Sequence, residues 1–171
     1  MRKVILGVAV SLDGFIEGPN GEYDWCFTDQ DYGMSDFLKR IDAIFMGRKS
    51  YELTKKIEGQ NPWKGMMTYV FSNTLKEIND KGVKLVKGDS KKEITSLKQE
   101  KGKDIWLFGG AELTTFFINE ALTDELWLAV HPILLGSGKP LFRHINSRKK
   151  LKLVDHKTYD TGLVSLCYQP A

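Results

Sequence analysis

The sequence has few cysteines, and they are not arranged as a disulfide framework or a metal site. Its 171 residues include only Cys26 and Cys167, and no Cys-x-x-Cys pair occurs. Two isolated cysteines far apart in the chain are typical of reduced thiols in or near a core. We therefore expect neither disulfide stabilisation nor a structural metal, and we predict no metal site.

Long apolar runs are also missing. The first apolar run, Val4 to Val10, is interrupted by Gly7 and is followed closely by Asp13 and Gly14. It is too short for a signal peptide and ends in the wrong residues. No stretch approaches the roughly 20 apolar residues that a membrane helix needs. The sequence predicts a cytoplasmic protein that does not bind a membrane.

No single sign of charge dominates the chain. It has 25 Lys and Arg residues against 22 Asp and Glu residues, a net charge of +3. This balance is too mild to indicate nucleic-acid binding, but it is compatible with a small anionic ligand held by a few local cations. No linker-like stretch divides the sequence, and 42% of its residues are hydrophobic. We predict one domain over residues 1–171.

Apolar segments that alternate with helical patterns predict the fold. Eight segments have the composition of strands, namely Val4–Val10, Ile41–Met46, Met67–Phe71, Val83–Val86, Ile105–Phe108, Leu126–Val130, Leu151–Lys157 and Leu163–Tyr168. Helical spacing covers Ser35–Arg40, Ser90–Glu100 with Ser90 as its N-cap, and Ala111–Ala121. The pattern predicts an α/β fold: a mostly parallel sheet with helices on both faces, closed by an antiparallel C-terminal hairpin that turns near residues 160–162.

Unusual residues follow four of the predicted parallel strands. These segments are Ser11–Gly14, Gly47–Ser50, Ser72–Thr74 and Gly109–Glu112. Ligands of open α/β sheets bind in a crevice at the carboxyl ends of the strands. The four segments therefore predict one ligand site at a common edge of the sheet.

Two of these segments suit a phosphate group. Gly109 and Gly110 allow a tight turn and close backbone approach at a helix N-terminus, although a plain strand-to-helix turn would also use glycine. Arg48 and Lys49 place cations at another expected helix start, where they oppose the helix dipole. A solvated basic helix end is the alternative, but a bound polyanion would offset that cost.

The third segment gives a weaker signal. Ser72, Asn73 and Thr74 could bind a phosphate or an adenine edge, or form an ordinary turn. Neither G-x-G-x-x-G nor a P-loop motif occurs in the sequence. The segment at 62–65 (Pro-Trp-Lys-Gly) is predicted to be a loop.

Several motifs in fixed order resemble the RibD C-terminal reductase domain and, more broadly, the dihydrofolate reductase-like superfamily. They are Val8–Gly14, Asp42–Arg48, Phe108–Leu113, and Thr123–Leu126 followed by Pro132–Gly136. The block Met46–Glu52 and the strand ending Phe71-Ser72 also resemble dihydrofolate reductase. The resemblance covers roughly residues 4–142. It implies a three-layer fold and NADPH as the cofactor.

The resemblance also implies roles for particular positions. Ala9 and Ile16 match residues at the nicotinamide end of NADPH, and Ser72 and Asn73 match residues on the adenosine side. The turn at 47–50 (Gly47, Arg48, Lys49 and Ser50) matches the phosphate-binding turn that separates NADPH from NADH. The stretch Gly109, Gly110, Ala111, Glu112 and Leu113 matches the turn under the pyrophosphate. Lys87 aligns loosely with a residue that reaches the 2′-phosphate.

Candidates for the reacting half of the site follow the first strand. Asp24 adjoins Trp25, which resembles the active-site tryptophan of dihydrofolate reductases, and a carboxylate beside an aromatic wall suits a flat heterocycle. Asp13 is a second candidate proton donor, and the alternative is that it merely fixes the turn at Gly14. Phe37 matches a substrate-contacting phenylalanine. Each of these residues could instead be structural, as is usual for a lone histidine such as His131.

Two departures from the resemblance bear on the substrate. Gly33 stands where dihydrofolate reductases have the carboxylate that binds the pteridine, and Ala129 stands where they have a threonine. The preferred prediction is an NADPH-dependent reductase of a small heterocycle, specifically 5-amino-6-(5-phosphoribosylamino)uracil in riboflavin biosynthesis. Dihydrofolate or dihydropteridine reduction is the alternative within enzymes, and a non-catalytic NADP(H)-binding protein the alternative outside them. The family also implies a homodimer formed through the C-terminal strands.

Overall fold

A computed structural model describes residues 1–56, 63 and 65–171. The strands are β1 (Val4–Ser11), β2 (Phe15–Glu17), β3 (Ile41–Gly47), β4 (Met67–Phe71), β5 (Val83–Val86), β6 (Asp104–Gly109), β7 (Glu125–His131), β8 (Lys139–Pro140), β9 (Leu151–Thr158) and β10 (Val164–Pro170). The helices are α1 (Met34–Lys39), α2 (Arg48–Lys56), α3 (Ser90–Gln99) and α4 (Ala111–Asn119). In the part of the chain so described, no helix has the length and apolarity to cross a membrane.

Eight strands form one sheet in the order β5-β4-β3-β6-β1-β7-β10-β9. The six strands from β5 to β7 run parallel to their neighbours. β10 joins β7 antiparallel and pairs in turn with β9. The prediction of a mostly parallel sheet with a C-terminal antiparallel hairpin is therefore confirmed, and the carboxyl ends of β1, β3, β4, β5, β6 and β7 share one edge.

Alternate residues of the central strands pack on opposite faces of the sheet. Val4 and Leu6 belong to the cluster that also contains Ile94 of α3 and Phe117 of α4. Ile5, between them, belongs to the cluster that contains Phe37 of α1 and Tyr51 of α2. Because strand side chains alternate between faces, both sides of the sheet need a helical cover. The predicted three layers are present.

Gly7 interrupts the apolar run of β1 for a packing reason. The indole Nε1 of Trp106 donates to the Gly7 carbonyl oxygen over 2.9 Å. A Cβ at residue 7 would lie 2.9 Å from that nitrogen and 3.1 Å from the Phe37 ring. Only glycine leaves room for this tryptophan between the strand and α1.

Local differences from the sequence prediction concern caps and short elements. Asp89, and not Ser90, is the N-cap of α3, since its side chain accepts from the Lys92 amide. The short strands β2 and β8 pair antiparallel in a second sheet that no sequence pattern indicated. The predicted loop at 62–65 is described only at its second and fourth positions, because residues 62 and 64 lie outside the described part. Trp63 packs its ring edge-on against Trp106 and Phe108.

Candidate functional site

A cavity of about 730 Å³ opens at the carboxyl edge of the parallel strands. Segments after β3, β4, β5 and β6 contribute to it, together with the chain after β7. Its lining residues are Gly47, Arg48, Lys49, Ser50, Phe71, Ser72, Asn73, Thr74, Gly88, Asp89, Ser90, Lys91, Gly110, Ala111, Glu112, Leu113, Phe116, Lys139 and Arg143. Three of the four segments singled out in the sequence therefore meet in one place.

Three helices begin at this cavity. α2 begins at Arg48, α3 at Ser90 and α4 at Ala111, and all three residues line it. Gly110 precedes α4 without any side-chain cap, so the first amides of that helix keep their hydrogen-bonding capacity. Helix N-termini combine free N–H donors with a partial positive charge. Their convergence makes the cavity suitable for phosphate groups.

Side-chain charge in the lining has the same sign as the helix ends. The cations are Arg48, Lys49, Lys91, Lys139 and Arg143, whereas the carboxylates are Asp89 and Glu112. Arg48 lies 3.8 Å from Glu52, and both side chains are more than two-fifths exposed, so this ion pair is weak. No ion pair of Lys49 occurs among the described residues. Lys91 and Lys139 pair with Glu120 and Glu17 over 2.7 and 3.0 Å, so Lys49 and the loosely paired Arg48 and Arg143 carry the positive charge that favours an anionic ligand.

Glycines allow two of the loops to approach each other. A Cβ on Gly110 would lie 3.3 Å from the Ser50 hydroxyl, and one on Gly47 would lie 3.8 Å from the Gly109 carbonyl oxygen. Gly109 ends β6 with a φ of 109°, a conformation that L-residues avoid, and the Gly109–Gly110 peptide bond is cis. The backbone of the two loops thus forms one continuous surface under the cavity.

Hydrogen bonds organise the loops after β4 and β5, which also line the cavity. The Asn73 side-chain carbonyl accepts from the Gly88 amide over 3.0 Å and so joins the loops after β4 and β5. The Ser72 hydroxyl accepts from the amides of Thr74 and Leu75, which closes the turn. Ser72 and Asn73 therefore hold the loops in shape as well as line the cavity.

Three of the residues expected at the cofactor are not in the lining. Ala9 lies inside β1, Ile16 packs from β2 against the core, and Gly109 is buried at the end of β6. The segment Ser11–Gly14 reaches the same sheet edge without lining the cavity. Lys87, the loosely aligned lysine, donates to the Lys76 carbonyl oxygen instead.

Asp13 holds a loop together. Its carboxylate accepts from the Ser11 hydroxyl and from the amides of Leu135 and Gly136. The Ser11 hydrogen bond, aided by those amides, lowers the pKa of Asp13. A carboxylate so stabilised is a poor proton donor at neutral pH, so Asp13 fixes the turn and the facing loop.

Trp25 and Asp24 lie near the end of β7. Trp25 is half-buried with its ring edge against His131 at 5.3 Å, and its indole N–H is buried with no partner among the described residues. Asp24 is exposed beside it. The His131 Nε2 accepts from the Phe27 amide while Nδ1 faces the Ala129 carbonyl oxygen, which fixes a neutral imidazole. Burial lowers the pKa of His131, in keeping with its structural role.

Phe37 lies in the core. It is only 5% exposed, stacks on Trp127 at 4.6 Å and meets Trp106 edge-on at 5.4 Å. A ring enclosed by two indoles offers no face to a ligand in this structure. We therefore leave Phe37 out of the substrate site.

Several residues of the lining were not predicted from the sequence. Lys139 and Arg143 follow β7, and the pairing of β8 with β2 brings that segment to the cavity. Gly88 to Lys91 arrive through the pairing of β5 with β4. The only signal in the sequence was the presence of basic residues after β7. Their place at the cavity depends on the tertiary fold.

Neither cysteine lines the cavity. Cys26 and Cys167 are free, and burial raises their pKa to about 11 and about 12 respectively. Within residues 1–56, 63 and 65–171, no three His, Cys, Asp or Glu side chains form a group that could hold a metal ion.

Comparison with known proteins places this geometry in a family. Residues 2–165 match the RibD C-terminal domain. The chain belongs to the RibD C-terminal domain family. Two relatives of this RibD-type chain come from Bacillus subtilis strain 168, and neither has been characterised. YyaP is 45% identical over 98% of this chain and 94% of its own length, and YwjB is 37% identical over 92% of each.

Solved structures agree with the RibD-type fold. A candidate riboflavin biosynthesis protein from Shewanella sp. PV-4 has a TM-score of 0.89 and 27% identity, with 100% of this chain and 99% of that chain covered. The Thermotoga maritima deaminase/5-amino-6-(5-phosphoribosylamino)uracil reductase has a TM-score of 0.76 and 16% identity, with 99% of this chain and 57% of that chain covered. A pyrimidine reductase-like protein from Corynebacterium diphtheriae has a TM-score of 0.75 at 15% identity, with 99% and 92% covered.

Proposed function

We propose that this RibD-type chain is an NADPH-dependent reductase of a small heterocycle. The observation that carries the proposal is the cavity at the carboxyl edge, where three helix N-termini meet and where Arg48, Lys49 and Arg143 are unpaired or only loosely paired. Family membership supports a reductase, and a dinucleotide with a third phosphate is the kind of polyanion this charge distribution suits.

The described residues fit the cofactor along the length of the cavity. The uncapped start of α4 and the Gly47–Ser50 turn would hold the pyrophosphate, and Arg48 or Lys49 would meet the 2′-phosphate. Ser72 and Asn73 would lie on the adenosine side. When bound, NADPH supplies a hydride, so the protein must orient the acceptor and deliver a proton. Asp24 beside Trp25 is the proposed proton donor.

The preferred substrate is a pyrimidine, with 5-amino-6-(5-phosphoribosylamino)uracil as the specific candidate. The Thermotoga maritima neighbour carries that reductase name, which supports this choice. The presence of Gly33 in place of a carboxylate disfavours folate as the substrate. This residue has a φ of 84°, and a Cβ there would lie 3.4 Å from the Tyr159 hydroxyl and 3.7 Å from Trp127. These are ordinary contact distances, but the positive φ would strain a carboxylate residue at that position.

Cofactor binding and turnover test the proposal in sequence. Binding of NADPH is measured by thermal shift, where ligand at 100 times its dissociation constant adds about 2.7 kcal/mol to the stability. NADPH oxidation is then followed with pyrimidines, pterins and flavins in turn. Oxidation with a pyrimidine is expected. Binding without oxidation of any acceptor would indicate a non-catalytic nucleotide-binding protein, and no binding would refute the proposal.

We also propose a homodimer formed through the C-terminal strands. Every residue of β9 is exposed, including Leu151, Leu153 and Val154 at 41–45%, and β9 is the edge strand of the sheet. Unpaired edges with apolar side chains are prone to pair with another chain. Light scattering on the wild type and on Leu153→Lys tests this. A monomeric wild type would refute it.

A further inference from the structure

The chain after β8 contributes the cation Arg143, whose backbone is hydrogen-bonded to α4. The Thr115 hydroxyl of α4 donates to the Arg143 carbonyl oxygen over 2.9 Å, so the backbone of Arg143 is tied to the helix that begins at the cavity. The Arg143 side chain is 36% exposed and lines the cavity. The backbone position of Arg143 therefore does not depend on the ion pair that its side chain makes.

The hydrogen bonds of Arg143 are incomplete. Its Nη2 donates to the Glu112 carboxylate over 3.3 Å, a long contact for a charged pair. Its Nε is buried and has no partner among the described residues. A guanidinium presents five donors, and a phosphate could accept from two of them at once. Since Nε is buried, an anion in the cavity would have to bind Arg143 through its two Nη groups.

Glu112 is the more exposed member of its ion pair with Arg143. Its side chain is 84% exposed, so water competes for its carboxylate and little energy is lost when the pair opens. It lies in the first turn of α4, and it lines the same cavity as Arg143. An incoming phosphate and the Glu112 carboxylate would thus compete for one guanidinium.

We propose that Arg143 exchanges Glu112 for a phosphate of the bound ligand, and that Glu112 limits the affinity by holding the guanidinium in the free protein. The proposal rests on the proposed NADPH site and adds a specific partner exchange to it. The exchange predicts that the two residues act on binding through each other and not independently.

A double-mutant cycle measured by calorimetry with NADPH tests the exchange. Arg143→Gln is expected to weaken binding about 10- to 100-fold, the usual effect of losing a charged hydrogen bond. Glu112→Gln is expected to tighten binding roughly two- to fivefold. In the Arg143→Gln background, Glu112→Gln should change the affinity hardly at all. The Thr115 hydrogen bond is to backbone, so both variants keep it.

Arg148→Gln is the matched control, because it removes the same charge from an exposed residue outside the cavity. It should bind NADPH as the wild type does. Unchanged affinity in Arg143→Gln would overturn the exchange, as would an equal gain from Glu112→Gln in both backgrounds, which would mean direct repulsion by Glu112. If wild-type protein does not bind NADPH, the proposed function fails first, so the two failures are distinguishable.

Discussion

At the amino-terminal end of the parallel strands two basic side chains are buried in ion pairs, whereas the cations at the carboxyl end are at least partly exposed. Arg2 meets Asp42 with its side chain 6% exposed, and Lys98 meets Asp124 over 2.7 Å with its side chain 9% exposed. The cavity cation Arg48, by contrast, is 42% exposed. One end of the sheet is closed by buried ion pairs, whereas the other keeps Arg48, Lys49 and Arg143 available to a ligand, although Lys91 and Lys139 pair there with Glu120 and Glu17.

Glu125 illustrates how the closed end is built. It begins β7, is 4% exposed, and receives Arg40 over 3.1 Å. Burial alone would raise the pKa of Glu125, but the hydrogen bond and charge of Arg40 outweigh burial and lower it. Arg40 is 44% exposed, so its removal, and not that of Glu125, would leave a buried charge without its main partner. Mutations at the two ends should therefore affect different properties.

The largest expected effect is at the closed end. Asp124→Ala would leave the buried Lys98 ammonium without its carboxylate and should cost about 3–5 kcal/mol in the free energy of unfolding. It also removes the acceptor of the Val4 amide. Denaturant unfolding measures the loss, with Glu77→Ala as an exposed control. A loss below about 1 kcal/mol would contradict the contrast between the ends.

At the open end, Arg48→Glu should leave the stability nearly unchanged and weaken NADPH binding. The expected loss is about 100-fold, because a charged hydrogen bond is replaced by repulsion. NADH, which lacks the 2′-phosphate, should lose far less. Titrations of both cofactors provide the measurement. Equal losses would remove Arg48 from the 2′-phosphate and leave Lys49 as the candidate.

The smallest effect concerns pH. Burial lowers the pKa of His131 from 6.5, so just below pH 6.5 the unfolded state binds a proton more readily than the folded state does. The resulting stability is complete above pH 6.5 and is lost as the pH falls through the window below it. The carboxylate contribution of Glu125 is lost only below its ordinary value of 4.5. Unfolding between these two pH values should thus depend on His131.

His131→Gln provides the comparison for that pH series. Its stability should vary less with pH in this range than that of the wild type, because the titrating imidazole is gone. His156→Gln, an exposed histidine on β9, should keep the wild-type dependence. Identical slopes in all three proteins would show that His131 is not the source.

The features that could be predicted from the sequence are those that depend on local sequence patterns. The strands of the parallel sheet, the helix starts at Arg48 and Ala111, and the glycine turn at 109–110 are recognisable because each depends on neighbouring residues. Sequence reasoning missed what distant segments bring together. Arg143 reaches the cavity through the β2–β8 pairing, and Phe37 is enclosed by indoles from β6 and β7. Those positions depend on tertiary packing, which no local pattern encodes.

The central position of β1 has a consequence for how the protein is made. Val4 pairs with Ile105 on one side, and Ile5 pairs with Glu125 on the other. During synthesis, the apolar strand β1 is translated well before either neighbour exists, because β6 begins at Asp104 and β7 at Glu125. Folding with such distant contacts is slow, and the waiting strand is open to aggregation. We expect refolding yield to fall steeply with protein concentration and to recover when a chaperone is present.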